Sequence, residues 1–264
     1  GQHIAVETSY PPDFLNPPFV GGQKVEDYLP DGYVRDGSVD YTEFIQSALN
    51  KNENIIFPAF PLLVNDRGLK IGSNKNLFFL NGSLILLKSS MKTHYAVLDL
   101  KNVTNVSIYN PVIKGDRYNH LGDKGEWGMG ISIKGSSKIK IFGAKVTNCW
   151  GDGIYLGQDE NMIVNQDILI SKAILSKNRR DGISIISVNG LILENIYAGY
   201  QDGTKPMCGI NFEPNNPACE IKNVRINNPK TEANENGIQV GTKRMIGGTN
   251  KTTDITITNH VDEG

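Results

Sequence analysis

Five times between residues 130 and 240 the chain repeats one short unit, Gly-Ile-x-apolar. The copies are Gly130-Ile131-Ser132-Ile133, Gly153-Ile154-Tyr155-Leu156, Gly182-Ile183-Ser184-Ile185, Gly209-Ile210-Asn211-Phe212 and Gly237-Ile238-Gln239-Val240, starting 23, 29, 27 and 28 residues apart. Between them runs a second alternating segment, as in Lys138-Ile139-Lys140-Ile141, Asp167-Ile168-Leu169-Ile170 and Gly190-Leu191-Ile192-Leu193. Two apolar positions spaced by two read as a half-buried strand, and a period of this length reads as one unit stacked on the next. In a parallel stack with strands about 4.8 Å apart, Ile131, Ile154, Ile183, Ile210 and Ile238 form one inward column. Ile133, Leu156, Ile185, Phe212 and Val240 form a second. Ser132, Tyr155, Ser184, Asn211 and Gln239 then face outward, which suits a sugar-binding groove and equally an ordinary solvated face.

The segments between the units lack helical periodicity, which disfavours an alternating β/α barrel, and the hairpins of a sandwich would not keep so regular a unit. The expected fold is all-β: a single-stranded right-handed parallel β-helix of seven or so turns. Less regular turns are counted at 54–64, 77–87, 96–100 and 106–113. Residues 1–36, with Pro11, Pro12, Pro17, Pro18 and Pro30 among polar residues and Gly, read as an extended N-terminal arm, and 37–264 as the β-helix domain. Asp40-Tyr41-Thr42-Glu43 has the form of a capping box ahead of Phe44, Ile45, Ala48 and Leu49 at helical spacing. This predicts a short capping helix over the first strands, where an open edge would invite unwanted pairing.

With 264 residues, 39% of them hydrophobic, the chain can bury a sizeable core. A net charge of −1 and the lack of a basic run or stripe leave no support for a nucleic-acid partner. The longest apolar stretch, Leu77 to Leu87, is broken by Asn81, Gly82 and Ser83 and falls short of the roughly 20 residues of a spanning helix, so no membrane insertion is expected. Cys149, Cys208 and Cys219 are odd in number and lack metal-ligand spacing, which reads as inert buried thiols. The sequence starts at Gly1 without an initiator Met, as a chain trimmed of a signal peptide would, and the expected location is secreted, periplasmic or cell-surface.

Asp40 to Leu49 followed by Ile55-Ile56-Phe57-Pro58, together with the registered Gly-Ile units, resemble the pectin-lyase-like right-handed β-helices. That superfamily includes polygalacturonase-type glycoside hydrolases, polysaccharide lyases and phage tailspikes, and the resemblance covers most of residues 36–259. It implies a polysaccharide partner and acidic residues just before the Gly-Ile start of neighbouring rungs. Asp152 and Asp181 stand at that register here; Cys208 occupies the place of the family's histidine, and its later Arg-Ile-Lys is absent.

Equivalent positions on consecutive rungs place the backbones of Asp152 and Asp181 about 5 Å apart, near the separation of paired carboxylates in retaining glycosidases. Mutual repulsion would keep one protonated, as a general acid requires. The bland alternative is that Asp before Gly makes a tight turn. Glu213, two residues beyond outward Asn211, is a third candidate carboxylate or a solvated strand end. The insertion Gly115–Gly128 has the ingredients of a binding loop: Arg117 to pair with a uronate, His120 to move a proton, Glu126 as acid or base and Trp127 to stack on a sugar ring. Trp150, Tyr155, Arg180 and Asn211 complete the expected substrate contacts. No calcium-loop spacing occurs, and neither a metal nor a cofactor is expected. The expected function is a glycoside hydrolase acting on a polysaccharide. The alternatives are a polysaccharide lyase using Arg117, His120, Arg179 or Arg180, and a non-catalytic glycan-binding or adhesive β-helix.

Overall fold

A computed structural model of the chain describes residues 13–247 and 252–264; the first twelve residues of the expected arm lie outside them. The described chain winds as a parallel β-helix of about eight turns, one more than the repeat alone predicts. Its strands fall into sheets of nine, seven and eight strands, with parallel pairing throughout.

The Gly-Ile units build the seven-stranded sheet, termed the front sheet. Its strands are β1 (Leu69–Lys70), β2 (His94–Lys101), β3 (Trp127–Lys134), β4 (Ile154–Gly157), β5 (Ile183–Ile185), β6 (Cys208–Phe212) and β7 (Asn236–Val240). Each pairs with the next, in a register that levels Leu98, Ile131, Ile154, Ile183, Ile210 and Ile238. All of these except Ile238 are fully buried, as are Leu100, Ile133, Leu156, Ile185 and Phe212 in the second column. Val240 departs from the expected inward column: it is 48% exposed because β7 is the last strand of its sheet.

The register also explains the glycine that opens each unit. A Cβ on Gly130, Gly153, Gly182 or Gly209 would lie 2.6–2.7 Å from the carbonyl oxygen of the equivalent glycine one rung on. That carbonyl is in use, because Gly153 O accepts the Ile131 N–H at 2.9 Å and Gly182 O the Ile154 N–H at 3.0 Å. The sequence thus admits only hydrogen where successive rungs approach most closely. Asparagine serves some corners, where its short polar side chain tolerates left-handed backbone. Asn195, Asn228 and Asn259 have φ of 52°, 55° and 57°, and their side-chain amides bond from rung to rung at 3.3 and 3.0 Å.

Helix α1 (Thr42–Lys51) buries Ile45, Ala48 and Leu49 against the N-terminal end of the stack. Its start differs from the expected box by one residue. Tyr41 takes the cap position, Asp40 reaches the Thr42 N–H at 2.9 Å, and Glu43 turns outward to Arg67 at 3.2 Å. The arm contributes a strand of its own, since Gln23–Lys24 pairs with Ile55 and Ile56. Phe14 packs edge-on against Tyr109 and Phe142 on the outside of the nine-stranded sheet, at 4.8 and 5.1 Å. The three cysteines are free and buried.

Gly182→Ala pushes a methyl group into the Gly209 carbonyl and is expected to cost about 1–3 kcal/mol. Urea unfolding measures it, and an unchanged midpoint would show that the rungs do not approach as closely as described.

Candidate active site

Asp152 and Asp181 precede the glycines of β4 and β5. Two residues before an inward isoleucine, strict alternation would point them into the core. The break at each glycine instead carries them to the front face, level with Met129 on β3 and Cys208 on β6. The Asp152 N–H meets the Met129 sulfur at 3.4 Å, Asp152 Oδ1 accepts the Asp181 N–H at 2.9 Å, and Asp181 Oδ1 accepts the Cys208 N–H at 2.8 Å. Each carboxylate therefore satisfies a backbone donor of the next rung.

The two aspartates meet as the repeat requires, but not at the surface. Both are fully buried, and Arg180 lies over them with 11% of its side chain exposed. Its Nη1 stands 2.9 Å from Asp181 Oδ2, 3.4 Å from both Asp152 oxygens and 3.3 Å from Ser184 Oγ. The pair expected at the substrate thus lies beneath the Arg180 guanidinium. The opposite edge of the guanidinium carries two accessible carboxylates. Arg180 Nη2 donates to Glu213 Oε2 at 2.7 Å, and Arg180 Nε stands 3.8 Å from Glu126 Oε2. Glu213 and Glu126 side chains are 36% and 32% exposed. Asn211, fully buried, donates to Asp181 at 3.0 Å and to Glu213 at 3.4 Å, so it ties the buried pair to the exposed one.

One guanidinium among four carboxylates leaves surplus negative charge. Burial, and then the charge of Asp181, pushes the Asp152 carboxyl well above the ordinary carboxylate range, up to about 8. Burial also raises Asp181, opposed by Arg180 and by the hydrogen bonds it accepts.

Beside this cluster the front face opens into a cleft of about 650 Å³. Lys70, Asp99, Ser132 and Tyr155 lie in register along its floor, with Met129 beside them. Trp127, 44% exposed, stacks on His94 with ring centroids 4.6 Å apart. Trp127 and Tyr155 thus lie where a bound sugar could meet them. Ser132 and Ser184 point outward yet are covered.

Other expected contacts hold the insertion loop instead. Arg117, 10% exposed, donates to the carbonyls of Lys177 and Asp202 at 2.8 and 2.7 Å. His120, 1% exposed, sets Nδ1 2.7 Å from fully buried Asp116, which also accepts the Tyr95 hydroxyl at 2.8 Å. Trp150 is sandwiched, with the His120 ring at 3.9 Å and the Arg179 guanidinium at 3.6 Å, and its indole N–H donates to Lys124 O. Arg179 closes the loop by donating to Gly125 O at 2.7 Å. Arg117 and His120 are thus engaged in holding the loop, Arg117 through carbonyls of neighbouring turns and His120 through the buried Asp116. Sequence reasoning missed His94, Lys70 and Asp99. Gly68-Leu69-Lys70-Ile71 repeats the glycine-apolar-x-apolar form one rung before β2, and aligning it would have placed Lys70 in the outward column. Among the described residues no three His, Cys, Asp or Glu side chains converge as a metal site.

The sequence profile of right-handed β-helix regions matches residues 129–261, half of the chain. The chain belongs to that family. It is 27% identical over 218 residues to uncharacterized protein YclG of Bacillus subtilis (strain 168), covering 69% of this chain and 36% of YclG. The chain thus spans about a third of that relative's length. Among solved structures it resembles pre-mature gene product 12 of bacteriophage phi29, with a TM-score of 0.72 and 17% identity over 90% of this chain and 32% of that one. It also resembles the A-module of the Azotobacter vinelandii mannuronan C-5 epimerase AlgE4, with a TM-score of 0.63 and 17% identity over 90% of this chain and 70% of that one.

Because Asp152 is protonated more readily folded than unfolded, its contribution to stability is fully present below about pH 4 and is lost as pH rises through about 8. Asp152→Asn keeps an oxygen for the Asp181 N–H and removes that titration. The melting temperature of the variant relative to the parent is therefore expected to rise between pH 5 and pH 9; a difference that does not change with pH contradicts the buried proton.

Proposed function

We propose that this β-helix is an exported glycoside hydrolase that cuts a polysaccharide lying along the front sheet, with Glu213 and Glu126 as its acid and base. The observation that carries this reading is the pair of accessible carboxylates beside Arg180, Glu213 hydrogen-bonded to it at 2.7 Å and Glu126 3.8 Å away, next to an open cleft with an exposed tryptophan. Hydrolysis needs one carboxyl group to protonate the leaving glycosidic oxygen and a second carboxylate to act on the other side of the anomeric carbon. The Arg180 guanidinium holds Glu213 by a hydrogen bond and keeps its positive charge beside Glu126. Asp152 and Asp181 then act from beneath, by holding Arg180. The resemblance to a mannuronan-modifying module supports a polysaccharide as the partner.

A lyase reading draws less support, because Arg117, Arg179 and His120 are spent on loop carbonyls, on Trp150 and on Asp116. Glu213→Gln and Glu126→Gln are each expected to lower kcat by about 10²- to 10⁴-fold in a reducing-end assay on a panel of polysaccharides. Full activity in both variants would remove the pair from the mechanism. Products that absorb in the ultraviolet as unsaturated uronates would favour elimination, and binding without any product would favour a glycan-binding protein.

A further inference from the structure

Glu126 sits in a segment that its sequence alone would leave loose. Gly122, Gly125 and Gly128 surround it, and Gly125 takes a left-handed φ of 83°. A general acid or base must be held to within about 0.5 Å of its working position, so the hold on this segment matters to the chemistry. We propose that Arg179 is a positioning residue: by gripping the peptide just before Glu126, it sets where that carboxylate stands relative to Arg180 and Glu213. The inference rests on the hydrolase reading above and adds to it how the carboxylate borne by the loop is aimed.

Three observations support it. The first is the run of hydrogen bonds around Glu126. On the near side, Trp150 Nε1 donates to Lys124 O at 3.2 Å and Arg179 Nη1 to Gly125 O at 2.7 Å. On the far side, the Trp127 N–H donates to Thr93 O at 3.1 Å and the Gly151 N–H to Gly128 O at 2.7 Å. Glu126 is thus flanked in both directions by peptide groups with partners, and the one immediately before it belongs to Arg179.

The second observation is how Arg179 itself is held. Its guanidinium lies 3.6 Å from the centre of the Trp150 ring, and Nη1 also donates to Trp150 O at 3.1 Å. The Trp150 ring in turn stacks on His120 at 3.9 Å. A planar donor resting on a fixed ring keeps its direction at little entropic cost.

The third is the contact beneath the loop end. A Cβ on Gly151 would run into the Glu126 carbonyl oxygen, and Gly151 O accepts the Arg180 N–H at 3.1 Å. The Glu126 peptide therefore rests on the same glycine that anchors the backbone of Arg180. Because Arg179 and Arg180 are consecutive, one residue fixes the loop end and the next carries Glu213.

The test uses a polysaccharide that the parent cleaves. Arg179→Ala is expected to lower kcat about 10²-fold with KM within about threefold, and Arg179→Lys, which can still reach the Gly125 carbonyl, to recover about tenfold of that loss. Added to Glu126→Gln, Arg179→Ala is expected to lower kcat no more than about threefold further, because the carboxylate it aims is already gone. Equal losses in both backgrounds, or an unchanged kcat, overturn the proposal. A second readout needs no turnover: amide hydrogen exchange over 122–128 is expected to speed at least about tenfold in Arg179→Ala while β4 and β5 exchange as in the parent. Unchanged exchange over that segment overturns the proposal as well. Should Arg179→Ala fail to fold, Arg179→Gln, which keeps the side-chain stem beside Trp150, carries the same measurements. A parent that cleaves no glycan of the panel removes the hydrolase reading, and exchange alone then upholds or overturns Arg179 as the mount of Glu126.

Discussion

Vertical registry is the constraint on which the rest of this molecule depends. Each rung contributes two inward residues on the front sheet, and neither column is continuous unless every strand meets its neighbour at one offset. A slip by one residue would turn a strand's isoleucines to solvent. Registry is set twice over. The isoleucine columns set it through burial, and the glycine that opens each unit from Gly130 to Gly209 sets it through contact, since its missing Cβ leaves room for the next rung's carbonyl. Burial rewards the right offset, while the close approach of backbones excludes larger side chains at Gly130, Gly153, Gly182 and Gly209. The two act on adjacent residues, which is why Gly and Ile travel together through the sequence.

The same registry that builds the core creates an electrostatic cost. Equivalent positions on successive rungs must lie about 5 Å apart, so acidic residues at the same register are forced together. At Asp152 and Asp181 the structure offsets this in three ways: a backbone N–H from the next rung for each carboxylate, a guanidinium placed over both, and a raised proton affinity at Asp152. Burial of charge without such partners would cost several kcal/mol per ion. Once Arg180 is fixed for that purpose, its far edge becomes a rigid donor for Glu213. Glu213 is therefore positioned by the compensation that the buried carboxylates need.

The architecture was legible because its signal is periodic. Ile131 to Ile238 announced the inward columns, and the helix over 42–51 was visible in its apolar spacing. The site was legible only in part, and the reason is physical. A strand register says which residues are neighbours and which way a regular side chain points, so the meeting of Asp152 with Asp181 followed from it. It does not say what lies above them. Arg180 was expected at the substrate and is found as the cover, a distinction set by the path of a long flexible side chain. The loop from Gly115 to Gly128 carries no period at all. Its residues offer only their chemistry, which does not reveal that His120 bonds Asp116 and stacks on Trp150.

That loop joins the two halves of the account. Its early residues, Asp116, Arg117 and His120, are committed to packing: the His120–Trp150–Arg179 stack and the carbonyls of neighbouring turns hold it flat against the solenoid. Its last residues, Glu126 and Trp127, emerge at opposite tasks, one beside the Arg180 guanidinium and the other on the His94 ring. A loop anchored so firmly at its start can place its end with the accuracy of a strand, because Trp127 is itself the first residue of β3. The insertion thus adds chemistry to a fold whose regular rungs offer mostly small and covered polar groups, and it does so at the rung where the regular repeat begins.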